Sequence, residues 1–135
     1  MGELIYIASR ASLWARPALW RRFRRDGVRI ISSWIDEDGE GETEYFTELW
    51  DRIKREITAA DRLVLYAETD DFPLKGALIE VGIALGLNKP VTVCLPGVEV
   101  QGLTHRPVGS WIEHRLVTRN DDIKDALGYI GELSC

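Results

Sequence analysis

An α/β fold, a doubly wound parallel sheet of about five strands with helices on both faces, follows from two features of this sequence. Short apolar runs alternate with segments of helical period along the whole chain. That alternation is what a parallel sheet covered by crossover helices produces, and right-handed crossovers limit its topology. At 135 residues the chain is long enough for a real core and is expected to be one domain, 1–135, with no internal repeat or linker. Sheets of this flavodoxin- or Rossmann-like kind take ligands outside the carboxyl ends of the strands, near the point where strand order reverses.

The elements follow in order. Residues 4–8 are a short apolar run, a first buried strand. Residues 13–26 have a helical pattern, with Leu13, Leu19, Trp20 and Phe23 as core contacts, Pro17 near the first turn and Gly27 as the stop. Residues 28–34, rich in β-branched side chains, form a second strand. The acidic, glycine-containing run 36–42 is a loop. Phe46, Leu49, Trp50, Ile53 and Ile57 recur at helical spacing and give a second helix. Residues 63–67 and 91–95 are the third and fourth strands, and 111–117 a weaker fifth. Asn120 caps a last helix over 121–133.

Composition narrows the class. No apolar run is long enough to cross a bilayer, and residues 4–8 followed by Arg10 make a poor signal peptide. Cys94 and Cys135 form no disulfide framework, so a reducing cytoplasm is the expected compartment. His105 and His114 lie far from both cysteines without ligand spacing, so neither a metal nor a cofactor is expected. The net charge is −5, yet Arg10, Arg16, Arg21, Arg22, Arg24 and Arg25 crowd the first quarter of the chain. All but Arg10 fall on one predicted helix beside an acidic loop, and most read as a solvated face. No nucleic-acid polymer is expected as partner.

The most informative stretch is 73–90. Pro73 and Gly76 open it, Asn88-Lys89-Pro90 closes it, and Pro90 ends the helix at or before Lys89. One acid, Glu80, shares a helical face with Gly76, Ala77 and Ala84. Two readings stay open. A face cleared of bulk lets a ligand approach a carboxylate that the helix dipole favours in its ionised form. Equally, small residues let the helix pack tightly on a sheet with Glu80 at its rim.

Loops 9–12, 34–42 and 68–74 belong at the ligand end of such a sheet. They contain no G-x-G-x-x-G, no G-x-x-x-x-G-K-[ST] and no nucleophile elbow. They offer acid instead: Glu68, Asp70 and Asp71 beside Glu80, Asp36 from the second strand's loop, and one phenol, Tyr6. Such a set suits a glycosidic centre, where one carboxylate attacks or stabilises the carbon and another acid protonates the departing group. Asp70 and Asp71 also fit an exposed loop tip, and Tyr6 fits core packing.

The sequence here resembles a known family. Ile5-Tyr-Ile-Ala-Ser9, Asp61 before the third strand, Gly76-x-x-x-Glu80-x-Gly82-x-Ala84 and Lys89-Pro90 are similar to the nucleoside 2-deoxyribosyltransferase superfamily, which includes nucleoside 5′-monophosphate N-glycosidases. The likeness spans residues 4–95. It implies Glu80 as the nucleophile, Tyr6 as the residue that orients it, and Glu68 as an acid helping with the base where an aspartate is usual. It places Ser9, Arg10 and Ser12 where phosphate-using members hold a 5′-phosphate, and Arg10's forked donors suit that task. Gly76 opens the substrate-contacting motif. Trp34 and Asp36 lie at the mouth of the second strand, where a base can be stacked and hydrogen-bonded, and Trp34 also fits a strand-end core aromatic. Family transferases carry D-x-G-T ahead of the glutamate, whereas here the stretch is Leu74-Lys-Gly-Ala77. The base-handling aspartate is therefore missing, and Asp70 or Asp71 is left to substitute. The resemblance also implies a homodimer or larger assembly, and five tryptophans are compatible with an apolar interface.

The expected function is cleavage of the N-glycosidic bond of a nucleoside or nucleoside 5′-monophosphate, with transfer of the sugar to water or another base. A non-catalytic nucleotide-binding module of the same fold is the second reading, and an NAD-cleaving hydrolase the third.

Overall fold

The computed structural model describes residues 2–10, 15–37 and 45–131. Four parallel strands make one sheet: β1 (Ile5–Ala8), β2 (Arg62–Tyr66), β3 (Val91–Cys94) and β4 (Val117–Arg119), in the order β1-β2-β3-β4. Helix α1 (Ala15–Arg25) follows β1, α2 (Phe46–Ala59) precedes β2, α3 (Gly76–Gly86) joins β2 to β3, and α4 (Ile123–Ala126) follows β4. In register, Tyr6 stands beside Leu63 and Leu63 beside Val91. Alternate residues therefore face opposite layers.

Each layer has its own cluster. Tyr6, Leu63, Leu65, Val91 and Val93 pack with Ile53 and Ile57 of α2 and Ala77, Val81 and Ala84 of α3. Ile5, Ile7, Val64, Tyr66 and Cys94 pack with Trp20 and Phe23 of α1, with Ala126 of α4 and with Leu127 just after it. A sheet covered on both faces by crossover helices is the arrangement that the strand–helix alternation predicts.

Among the described residues the strand count is four, not five. The run 28–34 meets β1 at a single parallel bridge, Ile5 to Ile30. One rung forms there, with Ile5 N–H donating to Arg29 C=O and Ile31 N–H to Ile5 C=O, both at 2.9 Å. At the next rung the Ser32 hydroxyl replaces a backbone carbonyl and accepts from Ile7 N–H at 3.0 Å. The chain then turns into a 3-10 helix, Ser33–Asp36. A side chain that satisfies the strand's donor ends the ladder despite favourable β-branched composition. With that segment beside β1, the order reverses between β1 and β2, the flavodoxin-like switch point.

The C-terminal third differs more. Residues 110–113 form a 3-10 turn, and the strand expected over 111–117 occupies Val117–Arg119. The last helix is four residues long rather than thirteen. Asp122, not Asn120, caps it by accepting from Lys124 and Asp125 N–H, and Gly128 at φ 68° ends it. Residues 13 and 14 of the first expected helix, and residues 132 and 133 of the last, lie outside the described residues.

Trp20 is fully buried, and Trp34, Trp50 and Trp111 are half-buried against the core. Trp14 lies outside the described residues. No helix among the described residues is long and apolar enough to cross a membrane.

Ile57 is fully buried under the sheet, whereas Ile79 of α3 is 56% exposed. Ile57→Ala is expected to cost about 2–5 kcal/mol of unfolding free energy. Ile79→Ala is expected to stay within about 0.5 kcal/mol. Urea unfolding of both variants checks the layer assignment.

Candidate active site

Small residues bring α3 to the sheet. Ala77, Val81 and Ala84 are buried against β1, β2 and β3, and none forces the helix outward. Glu80, partly buried on the same helix, thereby reaches the middle of β1. The Tyr6 hydroxyl donates to Glu80 Oε1 at 2.5 Å, across 74 positions of sequence. The packing reading of the small-residue face holds: the helix packs tightly, and Glu80 stands at the rim of that packing.

Beside this pair a cavity of about 600 Å³ opens at the carboxyl ends of β1 and β2. Ser9 and Arg10 line it from the loop after β1, Asp70 to Lys75 from the loop after β2, and Gly76, Ala77 and Glu80 from α3. It lies at the switch point, where an open α/β sheet places its ligands. Glu80 Oε2 faces the Gly76 side, where a Cβ would stand 3.9 Å from it and 3.8 Å from the Trp50 ring.

The electrostatics reverse one expectation. Burial pushes the Glu80 carboxyl from an ordinary 4.5 up to about 7. The Tyr6 hydrogen bond opposes that rise, and the nearby Glu56 carboxylate adds to it. Desolvation thus outweighs the helix dipole invoked from sequence, because Glu80 sits in the second turn of α3 and inside the wall. Tyr6 is driven well above the usual phenol range, first by burial and then by Glu80, so it remains a donor.

The other expected site residues divide. Ser9 is buried, and its hydroxyl accepts from Trp20 Nε1 at 2.9 Å while its residue lines the cavity. Arg10 reaches the Asp70 carbonyl at 3.4 Å and lies 4.0 Å from Asp71. Asp70 is exposed at the cavity mouth, whereas Asp71 is buried. Glu68 turns away, lining a separate hollow with Ala15, Arg16, Leu19 and Tyr66. Tyr66 and Arg16 hold its carboxyl below the usual range. Trp34 donates from Nε1 to the Ile7 carbonyl at 2.8 Å and packs against both layers. Asp36 is held by Arg24 at 2.9 and 2.7 Å and does not line the cavity. Ser12 lies outside the described residues.

Two participants escaped the sequence reading. Arg16 was grouped with a solvated face, yet its side chain is only 11% exposed and donates to Glu68 at 2.7 Å and Asp71 at 2.9 Å. Its position could have shown this: residues 16, 19, 20 and 23 share one helical face, the one that carries Trp20 and Phe23. Glu56, three residues from Ile53 on the buried side of α2, accepts from Ser33 N–H at 3.1 Å and adds its charge to the Glu80 site. Among the described residues no group of three or more His, Cys, Asp or Glu is placed to hold a metal.

Two solved structures share this architecture. A 2-deoxyribosyltransferase from the psychrotolerant bacterium Bacillus psychrosaccharolyticus is similar over 94% of this chain and 92% of its own, at 23% identity and TM-score 0.67. A 2-desoxiribosyltransferase from Leishmania mexicana is similar over 94% and 95%, at 16% identity and TM-score 0.62. The chain has the fold of these transferases, which is the fold that the sequence resemblance implied. No protein-family model and no curated protein matches it.

The raised Glu80 carboxyl sets a pH dependence of stability. Between pH 4.5 and about 7 the folded state holds a proton that the unfolded chain has released. Unfolding free energy therefore falls as pH rises through this window, by on the order of 3 kcal/mol, and levels off above it. Glu80→Gln removes the charge that burial disfavours. The variant is expected to be more stable than the parent at pH 8 by about 1–3 kcal/mol and nearly equal to it at pH 5. Urea titrations at both pH values measure this, and an equal gap at both would refute the assignment.

Proposed function

We propose that this protein cleaves the N-glycosidic bond of a nucleoside or nucleoside 5′-monophosphate, with Glu80 as nucleophile and with the sugar passed to water or another base. The observation that carries the reading is the Tyr6–Glu80 hydrogen bond at the wall of the cavity. It engages one carboxylate oxygen and leaves Oε2 facing Gly76, which has no side chain of its own, beside the Trp50 ring. In the reaction Oε2 forms a bond to the anomeric carbon as the carbon–nitrogen bond breaks, and that electron pair leaves with the base. Oε1 becomes the ester carbonyl and still accepts from Tyr6. Water or an acceptor base then attacks the same carbon and frees Glu80, and the proton it gives up balances the one taken by the departed base, so configuration is retained over two displacements.

The fold is shared with two transferases, the first described as a biocatalyst for the synthesis of nucleosides, and this supports the substrate class. The separation of Tyr6 from Glu80 in the chain supports it further. A strand tyrosine and a helix glutamate brought to a hydrogen bond at a cavity wall is the arrangement the resemblance assigns to nucleophile and orienting residue.

A binding module is the second reading, favoured by Leu74, an apolar residue at the position of the family's base-handling aspartate, here in the cavity wall. Glu80→Gln separates the two. An enzyme loses turnover and keeps ligand affinity, while a binding module has no turnover to lose.

Chromatography of base release tests the reading, with ribo- and deoxyribonucleosides, their 5′-monophosphates and NAD, with and without an acceptor base. Release is expected from a nucleoside or monophosphate and is expected to fall by about 10³-fold or more in Glu80→Ala. A nucleophile must be ionised, so kcat/KM is expected to rise with pH up to about 7 and then level. Release that persists in Glu80→Ala would exclude Glu80 as nucleophile. Gly76→Ala sharpens the geometry. Its methyl makes only ordinary contacts, 3.8 Å from Trp50 and 3.9 Å from Oε2, so the variant should fold. It fills the space through which the reacting carbon must come to about 3–3.5 Å of the oxygen. A variant of parental stability with at least tenfold lower kcat is the expected outcome, and parental kcat would place the reacting carbon elsewhere.

A further inference from the structure

Helix α1 and the turn after β2 hold a carboxylate in an unusual state. The Asp71 side chain is 1% exposed. Its Oδ2 is fully engaged, accepting from Arg16 Nη2 at 2.9 Å and from Glu68 N–H at 2.8 Å. Its Oδ1 is buried and has no hydrogen-bond donor, and the Arg10 guanidinium stands 4.0 Å away, beyond hydrogen-bond reach. A buried acceptor without a hydrogen-bond donor is costly, all the more so when charged, even with the Arg10 guanidinium in ion-pair range. This one belongs to a residue that lines the cavity containing Glu80.

Arg16 explains why the carboxylate does not turn to pair both oxygens. Its two terminal nitrogens take Glu68 and Asp71 separately, and its guanidinium lies 4.9 Å above the Tyr66 ring. Glu68 is itself held by the Tyr66 hydroxyl at 2.5 Å. With Oδ2 pinned by two donors, the carboxylate plane is set and Oδ1 is kept on the Arg10 side. Charge then selects the partner. An anionic group arriving there meets the charge of Asp71, whereas a neutral N–H or O–H meets an acceptor that lacks one.

We propose that Asp71 Oδ1 is the cavity's acceptor for a neutral N–H or O–H donor of the ligand, and that Arg16 is the positioning residue that holds it there. The identity of the ligand rests on the nucleoside reading. Within a nucleoside the donor is a base N–H or a sugar hydroxyl, and the two share this chemistry.

The test is titration calorimetry on the full chain carrying Glu80→Gln, which keeps turnover out of the measurement. The ligands are inosine, purine riboside, 2′-deoxyinosine, 3′-deoxyinosine, 5′-deoxyinosine and inosine 5′-monophosphate. Adding Asp71→Ala is expected to weaken inosine by about tenfold or more, the weight of a hydrogen bond to a charged acceptor. For the one analogue that lacks the donor, that penalty is expected to shrink to within about twofold. Purine riboside in that role assigns the base, and a deoxy sugar assigns the hydroxyl. The monophosphate is expected to lose less than inosine on Asp71→Ala. Arg16→Gln is expected to reproduce most of the inosine loss, with partial rescue by Arg16→Lys. Thermal unfolding confirms that each variant is folded, and Arg16→Lys against Asp71→Ala carries the comparison if Arg16→Gln is not. Inosine affinity unchanged by Asp71→Ala, or an equal loss for every ligand, overturns this inference while leaving the nucleoside reading in place. No nucleoside binding by the parent would overturn the nucleoside reading and this inference with it.

Discussion

The hydrogen bond between the Tyr6 phenol and the Glu80 carboxylate joins the first strand to the helix that crosses from β2 to β3. It requires α3 to lie close on the sheet, which its alanines permit, and it requires Tyr6 to face the same layer as α2 and α3. One register step in β1 would turn the phenol to the opposite face. The bond also shapes the chemistry. It moderates the effect of burial on Glu80 without cancelling it, so the carboxyl comes to rest at about 7, where both protonation states are populated near neutrality.

A second polar system stands on the other side of the cavity and has the opposite character. Around Glu80 the dominant effect is desolvation, with another carboxylate, Glu56, adding to it. Around Glu68 it is pairing, with the Tyr66 hydroxyl first and then Arg16, which enters from α1 between Glu68 and Asp71. The contrast separates the acids that looked alike in sequence. Glu80 shares its proton near neutrality, Glu68 is held ionised and faces away, and Asp71 is buried with one oxygen engaged. Environment, not residue type, divides the roles.

The same principle accounts for the strand that did not form. Residues 28–34 carry the β-branched composition of a strand, but the Ser32 hydroxyl takes the Ile7 N–H that a ladder carbonyl would have taken. The segment ends in a 3-10 turn that places Trp34 over the Ile7 carbonyl and Asp36 against Arg24. Two residues positioned from sequence at a strand mouth are thereby engaged in holding the turn to its neighbours.

Periodicity and punctuation in the chain determined the order of strands and helices, the parallel sheet covered on both faces, and a helix ending before Pro90 with Glu80 on a small-residue face. These are local properties, set by apolar spacing, helix stops and turn residues that act over a few positions. Tertiary structure alone decided that Tyr6 and Glu80 meet across 74 residues, that Glu80 is raised rather than lowered, and that Arg16 is paired with Asp71 of the cavity wall. Pairings between distant elements depend on strand register and helix docking, and a carboxyl's proton affinity depends on how much water the surrounding walls exclude. Neither quantity exists until the chain has folded.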